Sequence, residues 1–204
     1  MSLSKKIIAQ LLPTNPIVVE AGAHRGRDTR HMSKLWPEGT IYAFEPVIEL
    51  YQELIRHVDT NVKCYPYALS SSTGSATIHV SSNSDAASSL LRPLEYCVEH
   101  PLVNFEPRTI QAITLDDWAH KNSIERVDFL WLDMQGFEYH MLAASRIILP
   151  TVKVIHTEIN TKQRYAGHPL YPEYKLWLES HNFKLVYDFI GIYGWGDALF
   201  VRTL

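Results

Sequence analysis

Val18-Val19-Glu20-Ala21-Gly22-Ala23-His24-Arg25-Gly26 decides how this chain folds. It reads as an apolar strand that ends in an acid and turns through two glycines, residues that tolerate positive φ and close backbone approach. The segment after the turn, from about Asp28 to Lys34, begins a helix whose N-terminal N–H groups face whatever the turn holds. This is the first strand, turn and helix of an α/β binding fold, and a nucleotide-type cofactor belongs in it.

A second anchor is Thr40-Ile41-Tyr42-Ala43-Phe44-Glu45-Pro46. Glu45 falls at the tip of the next strand, roughly 20 residues beyond the glycine turn, where an acid accepts two hydrogen bonds from a ribose diol. Dinucleotides and S-adenosylmethionine both satisfy that pattern. Glu20 separates them, because a carboxylate beside the turn repels a pyrophosphate but suits an ammonium and a sulfonium. His24 also stands where the dinucleotide pattern has its middle glycine. The residues therefore favour S-adenosylmethionine over NAD.

The 204 residues suffice for one well-buried domain, 1–204, with 1–15 as an N-terminal helical extension. A hydrophobic fraction of 46% and a charged fraction of 20% describe an ordinary globular protein. A net charge of −3 gives no electrostatic reason to expect a nucleic-acid partner, and no membrane partner is expected. Cys64 and Cys97 form neither a metal spacing nor a disulfide framework, which fits a reducing cytoplasm.

After the first turn strands and helices alternate, the mark of a parallel sheet covered on both faces. Strands are expected at 17–20, 41–44, 62–67, 127–132 and 152–159, with helices at 27–35, 47–57, 137–148 and 171–180. The pattern breaks at 75–113, read as an inserted pair of strands around a mobile serine-rich loop, 81–91. Thr114 is placed to cap a helix whose first turn carries Asp116 and Asp117. The segments 183–189 and 198–202 predict a closing antiparallel hairpin.

In this order and spacing the motifs resemble the FkbM family of S-adenosylmethionine-dependent methyltransferases. The likeness rests on Glu20 to Gly26, Ala43-Phe44-Glu45-Pro46, Ala68-Leu69-Ser70, Thr114-Leu115-Asp116-Asp117, Asp133-Met134-Gln135-Gly136-Phe137-Glu138 and Ala198-Leu199-Phe200-Val201. It implies a Rossmann-like class I fold with a mostly parallel seven-stranded sheet. It also implies a cofactor site drawn from Glu20, Gly22, Ala23, His24, Gly26, Thr29, Glu45, Pro46, Ala68, Leu69, Asp133 and Gln135. Family members usually carry lysine at Trp131 and glutamate at Gln135. Those departures keep open a protein that binds the cofactor without turnover, and a NAD or nucleotide-sugar enzyme is the third alternative.

The resemblance points to methylation of a hydroxyl on a small molecule or glycan, which needs positioning and removal of the hydroxyl proton. Candidates lie at the carboxyl ends of the two strands at 127–132 and 152–159, the edge where open α/β sheets bind ligands. Asp133 closes the first of these, while His156 and Glu158 share one face of the second. In one mechanism Asp133 or Glu158 takes the proton, with His156 or His168 as relay. In the other, Asp133, Glu158 and Asn160 hold a hard divalent cation such as Mg²⁺. Tyr165, Tyr193 and Trp195 are either lining or packing residues.

Overall fold

A computed structural model describes residues 5–82 and 85–203. Thus 1–4 of the expected N-terminal extension and 83–84 of the serine-rich loop lie outside the described residues.

The elements run α1 (Lys5–Ala9), β1 (Ile17–Ala21), α2 (Arg27–Leu35), β2 (Thr40–Phe44), α3 (Ile48–Leu54), β3 (Val62–Tyr65), β4 (Ala68–Leu69) and β5 (Gly74–Ser81). They continue with α4 (Glu95–Glu99), β6 (Phe105–Ile113), α5 (Leu115–Lys121), β7 (Phe129–Leu132), α6 (Glu138–Ala144), β8 (Val154–Asn160), α7 (Tyr171–Ser180), β9 (Phe183–Ile190) and β10 (Trp195–Arg202). Seven strands form the main sheet in the order β3-β2-β1-β7-β8-β10-β9. All neighbours are parallel except β10, which runs antiparallel to both β8 and β9. The chain winds outward from β1 to β3 and then returns to β7 on the other side of β1. That reversal opens a crevice at the carboxyl ends of β1 and β7.

The expected Rossmann-like fold and closing hairpin are both present. Thr114 caps α5, its hydroxyl accepting from the Asp117 N–H at 3.0 Å. The insertion differs from its sequence reading. Ala68–Leu69 adds a third strand, so that β4, β6 and β5 make a separate small sheet. Toward the end of the serine-rich segment, Ser89 and His79 exchange backbone hydrogen bonds and the Ser89 hydroxyl donates to the Gln135 carbonyl at 2.8 Å. The helices expected at 47–57 and 137–148 are shorter, because their ends turn off into looser bonding.

Alternation along the strands divides the core. One face packs Val19, Leu130, Leu132, Ile155 and Phe200 against α5, α6 and α7, with Trp118 at its centre. The other packs Val18, Phe129, Trp131, Val154 and Leu199 under Ile8, Met32 and Trp36 of the N-terminal helices and the segment after them. The small sheet turns Ile78 and Leu69 toward the crevice and forms one of its walls.

Candidate active site

The site begins with backbone. Gly22 has a φ of 86°, and a Cβ there would lie 1.9 Å from the Asp133 carbonyl oxygen. The Asp133 N–H in turn donates to the Ala21 carbonyl at 3.0 Å. The glycine is needed because the ends of β1 and β7 meet at this point. The Gly22 and Ala23 N–H groups both reach the Phe44 carbonyl, so the tip of β2 joins the same knot. Glu45 tightens it, accepting from the His24 N–H at 2.8 Å and from the Val47 N–H at 2.9 Å.

Above this knot lies a cleft open to solvent, largely apolar with a few convergent polar groups, as small-molecule sites are. Gly22, His24 and Glu45 form its polar floor, Phe44, Tyr67 and Leu69 an apolar flank, and Ser88 to Leu90 the opposite wall. Asp133 and Gln135 line the remaining side. Of the expected cofactor residues, Pro46 and Ala68 also line the cleft.

Four others are placed elsewhere. Glu20 is 1% exposed, and its carboxyl accepts from the Thr29 hydroxyl at 2.5 Å beneath the turn. Burial pushes that carboxyl up to about 8. Thr29 is fully buried as its partner, while Ala23 and Gly26 shape the turn from behind without reaching the cleft. The sequence could not show this, since alternation assigns Glu20 a face of the strand but not what covers that face.

The acids at the strand ends form a pair. Gln135 holds the left-handed conformation with φ 53°, and its Nε2 donates to Asp133 Oδ1 at 2.8 Å and to Glu158 Oε2 at 2.6 Å. Burial, together with the Asp133 charge, raises the Glu158 pKa well above the carboxylate range. Enclosure raises Asp133 as well, against the lowering pull of Gln135, although its side chain opens to the cleft. Burial raises both carboxyls, so the pair shares a proton, and Asp133 is the member that faces the cleft. A glutamate at Gln135 would bring a third carboxylate into this contact, whereas the amide supplies donors. The Gln135 Oε1 accepts from the buried Tyr165 hydroxyl at 3.2 Å. Tyr165 is therefore a structural brace, while Tyr193 and Trp195 are exposed at 63% and 48%.

His156 does not join this group. Its ring stacks on Trp131 at 3.8 Å and 7°, and burial depresses its pKa to about 3. It lies outside the lining of the cleft, so the expectation of a catalytic or relay histidine at 156 is corrected to a neutral packing residue. Lys5 places its ammonium 4.1 Å over the Trp131 ring, returning positive charge to this row from α1. The proposed cation ligands are also separated: Asp133 lines the cleft, while Asn160 lines a small cavity behind it. Among the described residues no three His, Cys, Asp or Glu side chains come together in a way that could hold a metal ion.

The floor suits S-adenosylmethionine. A glycine cradle with no room for a side chain, an acid at the tip of β2 and an apolar flank match a methionyl chain, a ribose and an adenine respectively. Sequence comparison agrees. The Methyltransferase FkbM domain matches residues 20–185. The 2-O-methyltransferase NoeI of Sinorhizobium fredii (strain NBRC 101917 / NGR234) is 25% identical over 177 residues, covering 82% of this chain and 72% of the relative. Methyltransferase sdnD of Sordaria araneosa is 28% identical over 157 residues, covering 64% and 61% respectively. Among solved structures, magnesium protoporphyrin IX methyltransferase from Synechocystis PCC 6803 with bound S-adenosylmethionine superposes with a TM-score of 0.54 at 10% identity, over 98% of this chain and 77% of that one. That likeness shows the fold. The chain belongs to the FkbM methyltransferase family, with S-adenosylmethionine as its methyl donor.

Proposed function

We propose that this protein methylates a hydroxyl group of a small molecule or glycan, with Asp133 as the base. The observation that carries the reading is the asymmetry of the acid pair: Asp133 opens to the cleft while Glu158 is held behind it by Gln135. Bound S-adenosylmethionine supplies an electrophilic methyl group on a sulfonium. Gly22, His24 and Glu45 hold and orient it, and Ser88 to Leu90 with Leu69 exclude water from the cleft. Asp133 accepts the acceptor's hydroxyl proton as its oxygen becomes the nucleophile. The similarity to a 2-O-methyltransferase supports oxygen as the acceptor atom. Two free cysteines support a reducing compartment, the cytoplasm.

Calorimetry with S-adenosylmethionine and NAD, followed by detection of S-adenosylhomocysteine formed with a panel of methyl glycosides and small alcohols, tests this reading. Binding of the former and turnover on a hydroxyl are expected; amine-only methylation would overturn it. Glu45→Ala should weaken cofactor binding by about 1–3 kcal/mol, because a buried acceptor is lost. An unchanged affinity in the same titration removes Glu45 from the site.

A further inference from the structure

Behind the acid pair lies a second, much smaller cavity, lined by Gly136, Glu138, Glu158, Asn160, His168 and Tyr174. It leaves about 10 Å³ for the centre of a water-sized sphere, room for one water. Asn160 and His168 are 5% and 4% exposed, yet Asn160 Oδ1 and His168 Nε2 are buried without a hydrogen-bond partner. A His168 ring N–H bonds the Lys162 carbonyl, which leaves Nε2 as a lone pair, and burial keeps the ring neutral. The cavity thus brings two unpartnered atoms, the Asn160 oxygen and the His168 Nε2 lone pair, together with the Glu138 and Glu158 carboxyls and the Tyr174 hydroxyl. A water, which both donates and accepts, satisfies such a mixed lining. Glu158 belongs to this cavity and, through Gln135 and Asp133, to the cleft. His168 belongs to it and to an open surface hollow that it shares with Gln163, Gly167 and Glu173.

From this arrangement we infer that the rear cavity binds one water, which carries the proton released by methyl transfer from Glu158 to His168 and out to the surface hollow. The inference rests on Asp133 acting as the base. The acceptor O–H bond breaks and its proton goes to Asp133. Asp133 passes a proton to Glu158 as Glu158 gives its own to the water, and the water gives one to His168 Nε2. The oxygen's electron pair forms the C–O bond while the C–S pair stays on sulfur. His168 then gives its other ring proton, the one on Nδ1, to solvent at the surface hollow, and exchange with solvent returns the ring to its starting tautomer. The titratable and charged groups facing His168 are Glu138, Tyr139, Glu158, Tyr165, Tyr174, Glu173, His140 and Arg164.

His168→Gln and Asn160→Leu test the path, beside a crystal structure of the unsubstituted protein at about 1.5 Å. The expected structure has one water within hydrogen-bond distance of His168 Nε2 and Asn160 Oδ1. No density there, or a metal ion at coordination distance, overturns the inference. With the best methyl glycoside of the panel as acceptor, His168→Gln should lower kcat about tenfold. KM for S-adenosylmethionine should stay unchanged, the solvent deuterium isotope effect should rise, and the alkaline limb of the pH profile should move. An unchanged kcat and isotope effect in a folded variant also overturns it. Asn160→Leu should give the same pattern by expelling the water. If the unsubstituted protein binds S-adenosylmethionine but methylates no hydroxyl, the assignment of Asp133 as base has failed, and the crystal structure alone decides whether the water site exists.

Discussion

The two faces of the central sheet are built from the same strands and do different work. On the face under α5, α6 and α7, apolar and aromatic side chains continue to the strand ends, where Phe44 and Leu132 meet Trp118 and its neighbours. On the face under α1 and α2 the apolar column stops short. Glu20, Trp131, His156 and Leu199 lie side by side across four strands, and Glu158 pairs with Asp197 in the next row. All the ionisable groups that β1, β7 and β8 bring to the crevice project on that second face. One face holds the strands together, and the other accumulates carboxyls whose pKa values burial has raised. The acid pair lies on one side of the sheet, while the other side is packed mainly for stability and lends Phe44 to the apolar flank of the cleft.

The largest effect should come from the chemical face. Asp133→Asn should cut the rate about 10²–10⁴-fold, the usual worth of a positioned base, with S-adenosylhomocysteine release as the readout and little change in melting temperature. On the opposite face, Trp118→Ala should cost about 3–5 kcal/mol of stability in chemical denaturation, because three aromatic rings pack on that indole. If Trp118→Ala lost activity at temperatures where it stays folded, the division between the faces would fail.

Glu20 sharpens the comparison by pH. Its folded pKa near 8 lies above the ordinary 4.5, so the folded state keeps a proton that the unfolded chain gives up. Stability contributed by the protonated form is thus lost as pH rises from about 4.5 through 8. Glu20→Gln should match the parent protein near pH 4.5 and exceed it by about 1–3 kcal/mol at pH 8, measured by urea unfolding at both values. The smallest effect belongs to His156. His156→Phe should change stability by no more than about 1 kcal/mol, a volume-tolerant swap, and should leave the pH–rate profile intact. A displaced profile would return His156 to the chemistry.

Much of this division was legible in the residues. The glycine turn is fixed by backbone sterics, and Glu45 by its place at the next strand tip, so both were readable in one dimension. The same holds for His156 and Glu158 sharing a face, which alternation dictates. Their different fates were not readable. His156 lies under the Trp131 ring and Glu158 reaches Gln135 because of what α1 and the 133–138 turn place above them, and those contacts cross more than 20 residues of chain. Ala68–Leu69 is too short to carry a strand pattern, and it pairs only because β6 returns beside it. The unpartnered atoms of Asn160 and His168 exist only once three segments have closed around them.

Gln135 has its main chain fastened by Ser89 and its amide shared among Asp133, Glu158 and Tyr165, whose own hydroxyl holds the Ala87 carbonyl. The wall of the cleft and the acid pair thus hang from a single peg. Removing either the Ser89 or the Tyr165 hydroxyl therefore loosens the cleft wall and the residue that bridges both carboxyls at once, so the shape of the pocket and the placement of its acids stand or fall together.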